Sequence, residues 1–511
     1  MSIFIRASAI HLFGHFLNCL KMDFDKMLID FGEYGSYQKQ LIWLVVLPCV
    51  LPCGFHAYNQ LFMASIPEHW CKDEYNFNYT SKINQCLDSR NNTCKFWDYD
   101  HSRYLSTIVT EWDLVCSKQF YPTFALTIFG VSGLFGMLLF GFIQDGLGRR
   151  PAFFIYLFIE CIFGIATAFA KDFWTWLIFR IGVGFTVPAI LATPNVLPIE
   201  FVGPAHRTTC ILLTNIAHSI GMVLLSLVLY AFRDWRQLAL ATSLPFTVYF
   251  LYWWSFPESP RWLLACGKFE KAKPILLKMA KVNGKDISLD YMDQLKIKYE
   301  KEFKNQKSKT IKKYNVFHLF KTPNLRLKTI SITFIWFVNT TVYVGLSYYA
   351  PALSSDEHLN FFLAGAVELP TYIVLWPAME KFGRKSLLLI SMLIGGCACL
   401  AATFPILDDQ WTLIMFCIGK MGISSSYVIL SLFAPELYPT VVRGLGISVS
   451  SVAGMIGPVG LPVINYVGMG SQLSLIVMGA LQIIGALVTL ILPETKNCHL
   501  PQTLDDGEKY K

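Results

Sequence analysis

The chain has 511 residues, of which 54% are hydrophobic and 15% charged, with a net charge of +8. Soluble domains usually carry about 25% charged residues, and here the apolar residues come in long blocks, which excludes an ordinary multidomain soluble protein. A helical run of about 20 apolar residues crosses a hydrocarbon core of roughly 30 Å and satisfies its own backbone hydrogen bonds, which lipid cannot do.

Residues 1–40 read as a cytoplasmic N-terminal segment. Its first 20 residues are fairly apolar, but Arg6, His11 and His15 interrupt them and no small-residue cleavage site follows, a poor match to a secretory signal. Twelve runs are then predicted as membrane helices: 41–63, 121–144, 151–170, 173–198, 208–231 and 237–256, then 329–351, 360–377, 386–405, 411–435, 444–467 and 473–492. The predicted fold class is an all-α membrane protein with two six-helix halves, at 41–256 and 329–492. A basic connector, 257–328, joins them, and a tail, 493–511, ends the chain.

Charge orients the runs. The connector holds 18 Lys and Arg against 7 Asp and Glu, whereas the loop 64–120 holds 6 against 8. Lys and Arg collect on the cytoplasmic side of short loops, which places the connector and both termini inside and the loop 64–120 outside. The connector reads as a cytosolic linker with a secondary attraction to anionic lipid. No aromatic platform accompanies its lysines, so no nucleic-acid partner is expected.

The outer loop carries Cys71, Cys86, Cys94 and Cys116, which allow two disulfides in three pairings. It also carries glycosylation sequons at Asn78 and Asn91. A third match, at Asn339, falls inside a membrane run. Cys397 and Cys399 lie within a helix and read as packing residues.

An internal repeat links the halves. Asp145 to Arg150, Asp-Gly-Leu-Gly-Arg-Arg, follows the second run, and Glu380 to Lys385, Glu-Lys-Phe-Gly-Arg-Lys, follows the eighth. Glu200 and Arg207 recur as Glu436 and Arg443, and Pro257-Glu258-Ser259 recurs as Pro493-Glu494-Thr495. Every pair falls at a predicted cytoplasmic helix end. Glycine permits tight turns there, and acids and arginines can pair across neighbouring helices. The expectation is a cytoplasmic gate formed by Asp145, Arg149, Arg150, Glu200, Arg207, Glu380, Arg384, Glu436 and Arg443; the alternative is that they only mark topology and helix ends.

Gly141 to Arg150 resembles the loop signature of the major facilitator superfamily, and Arg180-Ile181-Gly182-Val183-Gly184 resembles its fourth-helix motif. Ser106 to Cys116, Pro257 to Leu264, Gly365 to Pro370 and Glu436 to Gly444 are similar to segments of the organic cation, carnitine and organic anion transporter family, and residues 22–35 resemble its opening. The likeness runs from Met22 to Glu494, is strongest by eye to insect organic cation transporters, and leaves 1–21 outside. It implies a plasma-membrane carrier of small organic ions, working without ATP or another cofactor, as a monomer. No phosphate-binding glycine loop and no zinc-protease motif appears, and no enzyme activity is expected.

The resemblance also places a substrate site. Trp336 and Tyr343, seven residues apart and so on one helix face, match aromatic residues of cation transporters in the seventh helix. Met455 stands where cation carriers hold Asp and anion carriers hold Arg, so the resemblance leaves substrate charge open. Glu368 is a counter-ion or a packing partner. Among other intramembrane polar residues, Glu160, Lys420 and His56 are weaker candidates, and His218 reads as packing. The leading reading is a carrier of organic cations or zwitterions such as amines and carnitine-like compounds; an organic anion carrier and a non-transporting receptor are the alternatives.

Overall fold

A computed structural model describes residues 24–71, 84, 86, 93–308, 315–353, 356–404, 409–439, 441–468, 472–496, 501 and 504–509. The stretch 1–21, the sequons at Asn78 and Asn91 and the side chain of Glu380 lie outside the described residues.

All twelve predicted runs are helical. In chain order, helices α1 to α6 are Ser36–Met63, Phe120–Leu147, Arg149–Thr167, Phe173–Phe201, Arg207–Ala231 and Trp235–Thr247. Helices α7 to α12 are Pro323–Tyr349, Glu357–Met379, Arg384–Ala401, Asp409–Leu437, Arg443–Val467 and Leu473–Thr489. Ten are long and apolar enough to cross a membrane as unbroken or nearly unbroken helices. The other two are α6, which continues past Pro245 in the tighter turns Val248–Trp253, and α12, with 17 residues. The first span begins at Ser36, earlier than the apolar run at 41. Its opening Ser-Tyr-Gln-Lys-Gln is polar, but Gln38 is fully buried and donates to the Gly32 carbonyl at 2.6 Å.

Hydropathy gave no hint of how the appendages dock. The connector forms helices Pro260–Ala265, Phe269–Val282 and Leu289–Ser308. With the helix Phe24–Phe31 they close a separate core of Phe31, Trp262, Leu276, Met279 and Tyr299. Asn283 fastens it to the first half, accepting from the Tyr37 N–H at 2.9 Å and donating to the Phe31 carbonyl at 2.9 Å. The tail helix Leu504–Lys509 serves the other half. Glu508 accepts the backbone N–H groups of Asn324 and Leu325 at 3.0 and 3.1 Å, satisfying donors that the start of α7 leaves free.

At the opposite end, the loop between α1 and α2 forms a two-stranded antiparallel ribbon, β1 (His69–Cys71) with β2 (Trp97–Tyr99). Disulfides join Cys71 to Cys94 and Cys86 to Cys116. Glu111, in the segment that precedes α2, accepts from the Trp235 indole at 2.7 Å and pairs with Arg236 at 2.5 Å, pinning the start of α6.

The halves meet at this loop end. Tyr58 of α1 packs edge-on to Tyr348 of α7, Phe62 packs on Phe361 of α8, and Phe120 of α2 packs on Tyr466 of α11. Glu357 opens α8 and accepts from Tyr104 at 2.5 Å and Ser65 at 3.4 Å, with Arg103 at 3.7 Å.

Candidate functional site

Two spanning helices of the second half each carry a one-residue irregularity, with the backbone staying in the helical region. In α8 it falls at Val367, between Glu357–Ala366 and Glu368–Phe382, and in α11 at Met455, between Arg443–Gly454 and Ile456–Val467. Two of the residues singled out in the sequence, Glu368 and Met455, sit at or next to these irregularities. A Cβ on Gly454 would lie 2.9 Å from Thr340 Oγ1 and 3.3 Å from the Trp336 carbonyl, so α11 packs directly on the Trp336 turn of α7 at Gly454.

Glu368 is fully buried and surrounded by donors. Ser219 of α5 donates to it at 2.5 Å, Ser424 at 3.0 Å, Tyr372 at 3.3 Å and Tyr343 at 3.4 Å. Lys420 Nζ, also fully buried, stands 3.2 Å from its Oε1. The ammonium also donates to Ser347 Oγ at 2.6 Å and sits 3.8 Å from the Tyr343 ring centroid. Tyr427 completes the wall, stacked on Tyr343 at 5.3 Å and edge-on to Trp336 at 5.7 Å. Trp336 Nε1 has no hydrogen-bond partner.

Burying two charges in a low-dielectric interior is costly unless they are paired and their remaining groups are hydrogen-bonded. This pair meets both conditions. The structure brings Trp336, Tyr343 and Glu368 together through Tyr427, and Met455 follows Gly454, which packs on the Trp336 turn. It adds Lys420 as the ion partner of Glu368, and also Tyr372, Tyr427, Ser219 and Ser424. The sequence did carry one signal: Lys420 and Tyr427 are seven apart in an apolar run, on one helix face. Because Ser219 belongs to the first half and Glu368 to the second, the cluster bridges the two.

Glu160 and His56 belong elsewhere. Both are buried inside the first half, with His56 Nε2 4.0 Å from Glu160 Oε1, and neither side chain makes a hydrogen bond. Nearby Arg180 is held by Gln60 Oε1 at 2.9 Å, Asn59 Oδ1 at 3.0 Å and the His56 carbonyl at 3.2 Å. His218 packs against α1, where a Cβ on Gly54 would come 3.1 Å from its Cε1.

At the end away from the loop, the repeat becomes geometry. Arg149 forks onto Glu200 at 2.8 and 3.0 Å and reaches Asp145 at 3.3 Å. Arg384 faces Glu436 at 3.5 Å. Glu258 accepts the N–H of Arg149 at 2.8 Å, capping α3, and Glu494 accepts that of Arg384 at 3.1 Å, capping α9. Gly148 and Gly383 precede those caps with φ of +113° and +86°, a conformation glycine adopts without steric cost. Other members of the set make further contacts, and Arg443 also feels the charge of Glu436. Arg207 pairs with Asp25 at 2.6 Å, sharing it with Arg261 at 2.9 Å. Arg150 donates to the Trp253 carbonyl at 2.5 Å, and Arg443 to the Tyr438 carbonyl at 3.4 Å. Each of these contacts lies within one half together with the appendage docked on it.

Solved structures share the fold. An inward-open xylose transporter XylE from E. coli matches with TM-score 0.64 at 17% identity, over 92% of this chain and 99% of that one. XylE bound to a bromodeoxyglucose matches with TM-score 0.65 at 15% identity, over 93% of this chain and all of that one. The fold is that of the major facilitator superfamily. A family model for sugar (and other) transporters matches residues 57–503. A β-alanine transporter of Drosophila melanogaster is 48% identical, over 95% of this chain and 89% of its own length. A carcinine transporter of the same fly is 40% identical, over 96% and 79%. An organic cation transporter of Caenorhabditis elegans is 35% identical, over 96% and 89%. The chain belongs to the organic cation and carnitine transporter family of the major facilitator superfamily, a membrane transporter and not an enzyme.

Proposed function

We propose that this chain is a plasma-membrane carrier that moves small zwitterions and amines by alternating access, as a monomer with both termini in the cytoplasm. The observation that carries the reading is the buried Lys420–Glu368 pair within an aromatic wall. A substrate ammonium takes the Glu368 side, where each aromatic face adds ~0.5–2 kcal/mol of cation–π attraction. A substrate carboxylate takes Lys420. A zwitterion thus replaces the internal pair charge for charge, and neither protein charge is left uncompensated. The names of the relatives, transporters of β-alanine, carcinine and organic cations, support the same class.

Binding lies where Ser219 of one half meets Glu368 of the other, so rocking the halves apart rebuilds the site. The Asp145–Arg149–Glu200 and Arg384–Glu436 clusters, with Arg150, Arg207, Glu380 and Arg443, act as the cytoplasmic gate. The loop with its disulfides faces outward, glycosylated at Asn78 and Asn91. Met455 supplies an adaptable apolar wall.

The test is uptake of labelled β-alanine, carnitine, tetraethylammonium and p-aminohippurate into proteoliposomes under an imposed voltage. Saturable β-alanine or carnitine uptake that competes with tetraethylammonium is expected. Uptake of p-aminohippurate alone overturns the reading in favour of an anion carrier. Correctly inserted protein that moves none of the four overturns it in favour of a receptor.

A further inference from the structure

A cleft of about 540 Å³ opens where the α2–α3 turn and the end of α6 meet the connector helix Phe269–Val282. Four cations line it: Arg150, Lys268, Lys271 and Lys278. Lys271 and Lys278 are exposed and lie two turns apart on one helix, hence on one face. Lys268 sits 4.4 Å from the Trp262 ring and Arg150 sits 4.7 Å from the Trp253 ring. Arg150 Nε has no hydrogen-bond partner. The one acid in the wall, Glu258, is engaged by the backbone N–H groups of Arg149, Arg150 and Ser259. Burial holds its carboxyl above the usual range while those N–H groups oppose the shift. With four cations and one acid, the cleft carries a net positive charge.

Its surroundings name the ligand. Leu244, Val248 and Leu251 recur at helical spacing along α6 and are 50%, 53% and 68% exposed, an apolar stripe of the kind that faces acyl chains. Directly below, Trp254 is 82% exposed at the rim of the cleft. Tryptophan concentrates at the membrane–water boundary, so the rim lies at headgroup depth. A cavity of this size suits one headgroup.

We infer that this cleft binds the phosphate-bearing headgroup of an anionic phospholipid, with its acyl chains along the outer stripe of α6. The orientation proposed above puts the site in the cytoplasmic leaflet, the one richer in anionic lipid. The site requires no substrate and stands apart from the Glu368 cluster.

Full-length protein in phosphatidylcholine vesicles doped with phosphatidylserine or phosphatidylinositol bisphosphate is extracted, and retained lipid is counted by native mass spectrometry. The parent retains anionic lipid over phosphatidylcholine, and Lys268→Ala/Lys271→Ala/Lys278→Ala lowers that retention at least about fivefold. The control Lys285→Ala/Lys298→Ala/Lys301→Ala removes three exposed lysines outside the cleft and leaves retention unchanged. Equal loss in both triple variants, or no preference for anionic lipid in the parent, overturns the inference. So does retention of free inositol hexakisphosphate with no retained lipid, which makes the cleft a soluble-phosphate site.

Discussion

A lysine and a carboxylate 3.2 Å apart, both shut away from solvent, depend on each other in a way that surface ion pairs do not. Removing one partner of such a pair strands the other and typically costs about 3–5 kcal/mol. Lys420→Gln should therefore lower thermal stability in detergent, and Lys420→Gln/Glu368→Gln should recover much of the loss. Substrate choice separates packing from recognition. If Lys420 holds a carboxylate, the single variant loses β-alanine uptake by at least about tenfold yet keeps tetraethylammonium uptake. Equal loss of both substrates leaves Lys420 a structural residue. Met455→Asp should raise cation uptake, measured as the ratio of tetraethylammonium to β-alanine. Trp336, Tyr343 and Glu368 were legible as candidates because they match a family pattern. Their mutual contacts were not, because Ser219, Tyr343, Glu368 and Lys420 come from four helices. Arg207 shows the same limit, since its partner Asp25 lies 182 residues away.

Among the elements, α3 and α9 start in the same way: a glycine at positive φ, then an arginine whose N–H is capped by a glutamate just after the last helix of the same half. Losing a side-chain cap costs about 0.5–2 kcal/mol, so Glu258→Ala and Glu494→Ala should each lower the unfolding temperature, and by similar amounts. Gly148→Ala should be worse, because alanine resists that φ and its Cβ would meet the Glu258 carboxylate. Spacing alone exposed these positions as a repeat, but nothing local in Pro-Glu-Ser or Pro-Glu-Thr says that the acid caps a helix 109 or 110 residues earlier. The membrane helices were legible because lipid demands long apolar runs. The polar first turns of α1 and the docking of the connector were not, because they depend on tertiary contacts of Gln38 and Asn283.

At the scale of the whole molecule, the halves touch at the loop end and the charged clusters at the far end close within each half. Glu357 joins the disulfide-bonded loop after α1 to α8, so Glu357→Gln should favour opening on the loop side. The check is faster labelling of an engineered Tyr58→Cys by a membrane-impermeant thiol reagent. Reversal at Asp145→Arg should slow turnover and leave substrate preference unchanged; unaltered turnover removes Asp145 from the gate.

Self-containment of each half reaches beyond transport. The connector and the helix Phe24–Phe31 fasten to the first half, and the tail helix fastens to the second. Each unit thus carries its own end-caps, ion pairs and soluble appendage. A gene cut between the codons for residues 311 and 312 should therefore yield two separately translated fragments that find each other in the bilayer.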